Sequence, residues 1–132
     1  MTKTVKSMLE AAMAQITTYS VEQALALHGR EEVMFVDLRD PRELEREGLI
    51  PGAFHAPRGM LEFWVDPASP YHKPALNQPG RHYVLFCAGG LRSALATQLM
   101  QDMGVRQIGH IEGGYGAWKA AGGPVAEKTP AA

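Results

Sequence analysis

Apolar positions follow two rhythms along this chain. Residues 33–36 and 82–86 form short unbroken runs rich in β-branched and aromatic side chains, without the alternation of a sheet that keeps one face wet. Both runs predict buried parallel strands, and residues 53–55 and 107–110 are weaker strand candidates. Elsewhere the spacing is helical. From Leu91 the residues Leu95, Leu99 and Met103 recur at every fourth position and Gly104 follows, which predicts a helix that buries this face and stops at a glycine cap. Polar punctuation marks three earlier helices: Ser7 with Glu10, Ser20 with Gln23, and Asp40 with Glu43 each set a capping side chain three residues before a carboxylate or amide. In the third, Pro41 takes the first helical position, where its missing N–H is no loss, and Gly48 follows Glu47 at the end. A last helix is expected from about Tyr115 to Ala120, after Gly113 and Gly114.

Strands alternating with helices call for an α/β layer structure, with a central and mainly parallel sheet flanked by helices on both faces. Residues 57–80 interrupt the pattern with five prolines, yet carry Phe63, Trp64 and Tyr71, so this excursion reads as a packed or functional loop. The expected division is a helical extension over residues 1–16, one domain over 17–123, and a flexible tail over 124–132.

Composition narrows the partners. Among 132 residues, 13 basic and 14 acidic side chains leave a net charge of -1, so no positive excess is available for a nucleic acid or an anionic membrane. The amino terminus carries Lys3 and Lys6, but Glu10 and Gln15 break its apolar content before any leader core forms. With one cysteine there is no internal disulfide, which suits a reduced compartment and a cytoplasmic protein. His55, His72, His82 and His110 are scattered without metal-ligand spacing, so neither a metal nor a cofactor is expected.

That one cysteine, Cys87, ends a buried strand and precedes Ala88, Gly89, Gly90 and Leu91, with Arg92 and Ser93 opening the next helix. Ligands of open α/β sheets sit at this edge. Glycines let the backbone curl so that its N–H groups face inward, and the helix start adds positive potential at the same point, so a thiolate is favoured there. Arg92 fits the same scheme, because a cation at a helix start opposes the dipole unless an anion binds between them. The alternative is an inert buried thiol.

These residues carry a family resemblance. The run from Cys87 to Ser93 resembles the active loop of rhodanese domains, and Phe35-Val-Asp-Leu-Arg-Asp-Pro41 resembles their first strand and turn. Gly48-Leu-Ile-Pro-Gly-Ala53 and Glu112-Gly-Gly-Tyr-Gly-Ala-Trp118 are similar to two further motifs, in the family's order. The resemblance implies a sulfurtransferase in which Cys87 carries a persulfide cradled by the backbone of Ala88 to Arg92. It implies a small donor such as thiosulfate or a persulfide, and an acceptor that is cyanide, a thiol or a sulfur-carrier protein. Without a second cysteine that acceptor has to be external. Cysteine phosphatases and arsenate reductases of related fold are the rival enzymes, but four residues separate Cys87 from Arg92 where such phosphatases use five. A sensing or docking module without turnover is the rival outside enzymes.

Arg92 steers anionic donors, while Arg58 and Trp64, inside the excursion, line the rim of the pocket. Asp37 and Arg39 form a structural pair, and Trp118 belongs to the core. Leu49 stands where the family usually has histidine, with a local packing change as its consequence. The chain is a monomer or a homodimer, with the apolar side of its first helix packed on the core or on a second copy.

Overall fold

A computed structural model describes residues 1–129. Its two central strands are the two apolar runs: β2 (Val33–Asp37) pairs in parallel with β4 (His82–Phe86), which in turn pairs with β5 (Ile108–Ile111). The short β1 (Thr17–Tyr19) and β3 (Phe54–His55) complete five strands in the order β1-β5-β4-β2-β3, all parallel. β1 has no counterpart in the sequence reading, because three residues carry too little periodicity to register. In the sheet it gains partners from β5, with Thr18 opposite His110.

Alternation along β4 divides the core. Tyr83, Leu85 and Cys87 turn to one face, with Leu61 and Val65 of α4 (Leu61–Val65) and Ala96 and Met100 of α5 (Leu91–Asp102). Val84 and Phe86 turn to the other, with Ala24 of α2 (Val21–Leu27) and Tyr115 and Trp118 of α6 (Gly114–Ala120). Helices thus cover both faces. Trp118 is fully enclosed, edge-on to Phe35 and His28, and its Nε1–H donates to the Pro124 carbonyl at 2.8 Å.

Capping sets three helix starts. α2 opens on the Ser20–Gln23 box, and α3 (Pro41–Glu47) on the Asp40–Glu43 box with Pro41 at its first position and Gly48 at its end. The first helix starts earlier than the Ser7–Glu10 pairing suggests. Thr4 caps α1 (Val5–Met13), and the Ser7 hydroxyl is spent on Thr4 as the reciprocal half of that box.

The buried face of α5 also corrects the sequence reading. Leu91 and Met103 are exposed, and Leu95 and Leu99 only half-buried, whereas Ser93, Ala94, Ala96, Thr97 and Met100 form the enclosed side. α5 lies against β4, β5, α1 and α4, so small side chains let its axis close on the sheet, and its leucines fill the margins. Gly104 does end it, at φ 109°.

The segment expected to be a flexible tail is held through residue 126. Leu49 and Ala126 exchange backbone hydrogen bonds of 2.8 and 2.9 Å as an antiparallel bridge, which satisfies groups that would otherwise fray. Residues 130–132 of that tail lie outside the described residues. No helix among those described is long and apolar enough to cross a membrane.

Candidate active site

Cys87 stands one residue past β4, at the carboxyl edge of the sheet, where the chain turns into α5. Its side chain is 1% exposed. Sγ accepts hydrogen bonds from the N–H of Gly90 at 3.2 Å and of Ser93 at 3.4 Å. Two backbone donors thus converge on one sulfur. The turn depends on Gly90, whose φ of 102° suits a residue without Cβ.

The remaining N–H groups of the loop, those of Ala88, Gly89, Leu91 and Arg92, have no protein partner among the described residues. Ala88 and Gly89 are exposed, so the loop opens outward above a closed sulfur. Its carbonyls are clamped from the other side: Tyr115 N–H donates to Cys87 O at 2.8 Å and Gly116 N–H to Ala88 O at 3.1 Å. Gly114 permits that approach. At its φ of 59° a Cβ would strike the carbonyl oxygens of both Cys87 and Ala88.

Arg92 is close to the sulfur but not free. Its Nη1 and Nη2 each donate to the Glu43 carboxylate at 2.9 Å, from the first turn of α5 to the first turn of α3. That pairing raises the Arg92 pKa, as the Cys87 sulfur does to a lesser degree, and it draws Glu43 from 4.5 down to about 2. The anion that reconciles Arg92 with a helix start is therefore internal. Glu43 escaped the sequence reading because its capping role already explained it, and the same carboxylate does accept from Asp40 N–H at 2.8 Å.

A second group behind Cys87 was also missed. Sγ lies 3.6 Å from Ser93 Oγ, and Ser93 Oγ lies 2.9 Å from His110 Nδ1. His110 is buried, and burial pushes its pKa down to about 4. A histidine inside the apolar run Ile-Gly-His-Ile was the available signal, because a buried polar group needs a partner.

The rim residues expected from the excursion have other engagements. Arg58 is paired with Glu62 at 2.8 Å, and Trp64 stands edge-on to Phe54 with Lys73 over its ring at 4.6 Å. Neither has a hydrogen bond to residues 87–93 among the described residues. Trp64 is partly buried and packs against the core cluster that holds Cys87. Asp37 and Arg39 form a buried bidentate pair at 3.0 and 2.8 Å, with the guanidinium 4.0 Å from the Tyr115 ring centre.

Beside the loop lies a mostly apolar groove of about 250 Å³, lined by Leu9, Met13, Thr18, Gly89, Leu91 and His110 among others. α1, packed on α5 through the fully buried Ala12, forms one of its walls.

Comparison with known proteins places these features in a family. Residues 20–121 match the rhodanese-like domain. Over 98 residues the chain is 36% identical to an uncharacterized protein of Synechocystis, covering 74% of this chain and 49% of that one, so it spans about half the length of that relative. It is 26% identical over 102 residues to a thiosulfate sulfurtransferase of Pseudoalteromonas translucida, covering 77% and 88% of the two chains. A solved structure from Rhodopseudomonas palustris, of a protein of unknown function named a possible tyrosine phosphatase, superposes with a TM-score of 0.92 at 53% identity, covering 96% of each chain.

Proposed function

This chain belongs to the rhodanese-like domain family, and from that membership we propose that it is a sulfurtransferase working through a persulfide on Cys87. One observation carries the proposal: the buried sulfur accepts from the N–H groups of Gly90 and Ser93 in a loop of four residues between Cys87 and Arg92, while Arg92 is paired with Glu43. A phosphate ester needs a wide loop and a free guanidinium to hold three oxygens. A single outer sulfur needs neither.

The chemistry follows from the parts. The Cys87 thiolate attacks the outer sulfur of thiosulfate, a sulfur–sulfur bond forms at Sγ, the donor's own breaks, and sulfite leaves with the electron pair. The persulfide anion is then received by the loop N–H groups of Ala88, Gly89, Leu91 and Arg92, which have no other partner among the described residues. A thiophile attacks the outer sulfur, and the Cys87 thiolate departs. With cyanide the product is thiocyanate; a thiol or a sulfur-carrier protein serves the same step. No second cysteine is present to resolve the persulfide, so the acceptor comes from outside the chain. A reduced compartment such as the cytoplasm keeps the thiol available.

Intact mass after incubation with thiosulfate tests the reading. The expected result is a gain of one sulfur atom, absent from Cys87→Ser and reversed by cyanide. Hydrolysis of an aryl phosphate without any sulfur uptake from thiosulfate or polysulfide would overturn it in favour of a phosphatase. Loading without discharge to cyanide or thiols would instead mark a sensor or carrier.

A further inference from the structure

The hydrogen bonds behind Cys87 form a longer chain than sulfur transfer itself requires. Beyond Ser93 and His110 Nδ1, His110 Nε2 lies 3.1 Å from Thr18 Oγ1, and Thr18 Oγ1 lies 3.9 Å from the Met13 thioether. Ser93 and His110 are enclosed, whereas Thr18 is half-buried and opens on the groove beside the loop. α5, β5 and β1 each supply one member. The parallel register sets Thr18 directly opposite His110. An imidazole with a hydroxyl at each nitrogen is satisfied in either tautomer, so the chain has two complete directions.

We propose that His110 is a positioning residue for Cys87, and that the chain Ser93–His110–Thr18 reverses direction as the sulfur passes between thiol and anion. In the thiol state S–H donates to Ser93 Oγ, the serine hydroxyl to Nδ1, Nε2–H to Thr18 Oγ1, and the threonine hydroxyl toward Met13 Sδ. On ionisation the sulfhydryl proton passes to Ser93 Oγ and the serine's own proton to Nδ1. The Nε2 proton passes to Thr18 Oγ1, and the threonine's leaves to a water in the groove, which acts as the base. The chain is neutral before and after, and one negative charge stays on sulfur. Thr18 O–H then donates to Nε2, Nδ1–H to Ser93 Oγ, and Ser93 O–H to the sulfur anion. This gives Sγ a third donor beside the N–H groups of Gly90 and Ser93. Burial keeps His110 neutral near pH 7, so the ring exchanges tautomers and does not charge. Arg92 pairs with Glu43 beside the loop and Glu112 lines the groove; none of the three hydrogen-bonds His110 among the described residues.

The inference rests on Cys87 being the working thiol, and alkylation by iodoacetamide reads that thiol without any sulfur donor. Ser93→Ala and His110→Phe should each slow alkylation at neutral pH by about tenfold and move its rise to higher pH, the loss of one donor to an anion. Because both cut one chain, the double variant should be no slower than Ser93→Ala by more than about twofold. Thr18→Val, at the open end, keeps its shape and should lose about threefold; it carries the test if His110→Phe does not fold. His110→Phe or Thr18→Val reacting at the parent rate, or losses that multiply in the double variant, would overturn the inference. Sulfur loading from thiosulfate, measured in parallel, separates the two proposals: a parent that alkylates as expected but never loads sulfur refutes the transferase and leaves the relay standing.

Discussion

Replacing Glu43 with glutamine isolates the clamp on Arg92. The amide keeps an oxygen at the third position of α3, where the carboxylate now accepts from Asp40 N–H at 2.8 Å, but loses the charge that holds Arg92 by two bonds of 2.9 Å. The hydrogen bonds from Arg92, more than any other influence, draw the Glu43 pKa from 4.5 down to about 2, a depression equivalent to about 3 kcal/mol. Arg92 is 40% exposed, however, and water screening cuts the contribution to about 1 kcal/mol. The sign is fixed by which state binds the proton. Glu43 ionises more readily in the folded chain, so its contribution is complete above pH 4.5 and fades as the pH falls toward 2. Urea unfolding should find Glu43→Gln about 1 kcal/mol less stable than the parent at pH 7, with the gap narrowing below 4.5. Releasing Arg92 should also let an oxyanion settle on the loop, so inorganic phosphate should protect Cys87 from alkylation better in the variant than in the parent. A variant equal to the parent in stability across this range, with unchanged phosphate protection, would show that Glu43 does not restrain Arg92.

Two more consequences can be measured directly. His110 has its pKa lowered by burial from 6.5 to about 4, so the unfolded chain takes the proton first, and stability should decline as the pH falls from 6.5 toward 4. Thermal unfolding across that range should show a decline that His110→Phe flattens; an equal slope in both proteins would refute the assignment. Gly114→Ala puts a Cβ against the carbonyls of Cys87 and Ala88 at a positive φ, and should lower stability by about 2 kcal/mol or more while abolishing sulfur loading. An alanine variant with the parent's melting temperature and loading would mean that α6 does not clamp the loop.

The layers were legible where one element explains itself. β2 and β4 are continuous apolar runs, and the boxes at Ser20 and Asp40 are complete within four residues, so local sequence was enough. α5 misled because it has neighbours on several sides. When most of a helix circumference is covered, the largest apolar residues need not mark the face nearest the sheet, and here that face is made of Ser93, Ala96, Thr97 and Met100. At the site, Cys87 and its loop were legible because they are contiguous. Glu43, His110 and Thr18 were not, since Glu43 reaches Arg92 across 49 positions and Thr18 reaches His110 across 92, through strand order that no local pattern records.

That distinction bears on specificity. The cradle proper is backbone, since Gly90 N–H and Ser93 N–H hold the sulfur and any sequence that folds the same turn presents the same groups. Two side chains from other elements back this cradle: a carboxylate from α3 that pairs with Arg92, and a hydroxyl from β1 that closes the chain behind His110. Thr18, Met13 and Leu9 all precede residue 20, where the family match begins, yet all three line the groove beside the loop. The segment outside the match therefore borders the Cys87 loop. For the proposed sulfur transfer, substitutions at Leu9, Thr18 or Glu43 are expected to shift donor or acceptor preference more readily than substitutions that break the turn, because they leave the backbone cradle intact.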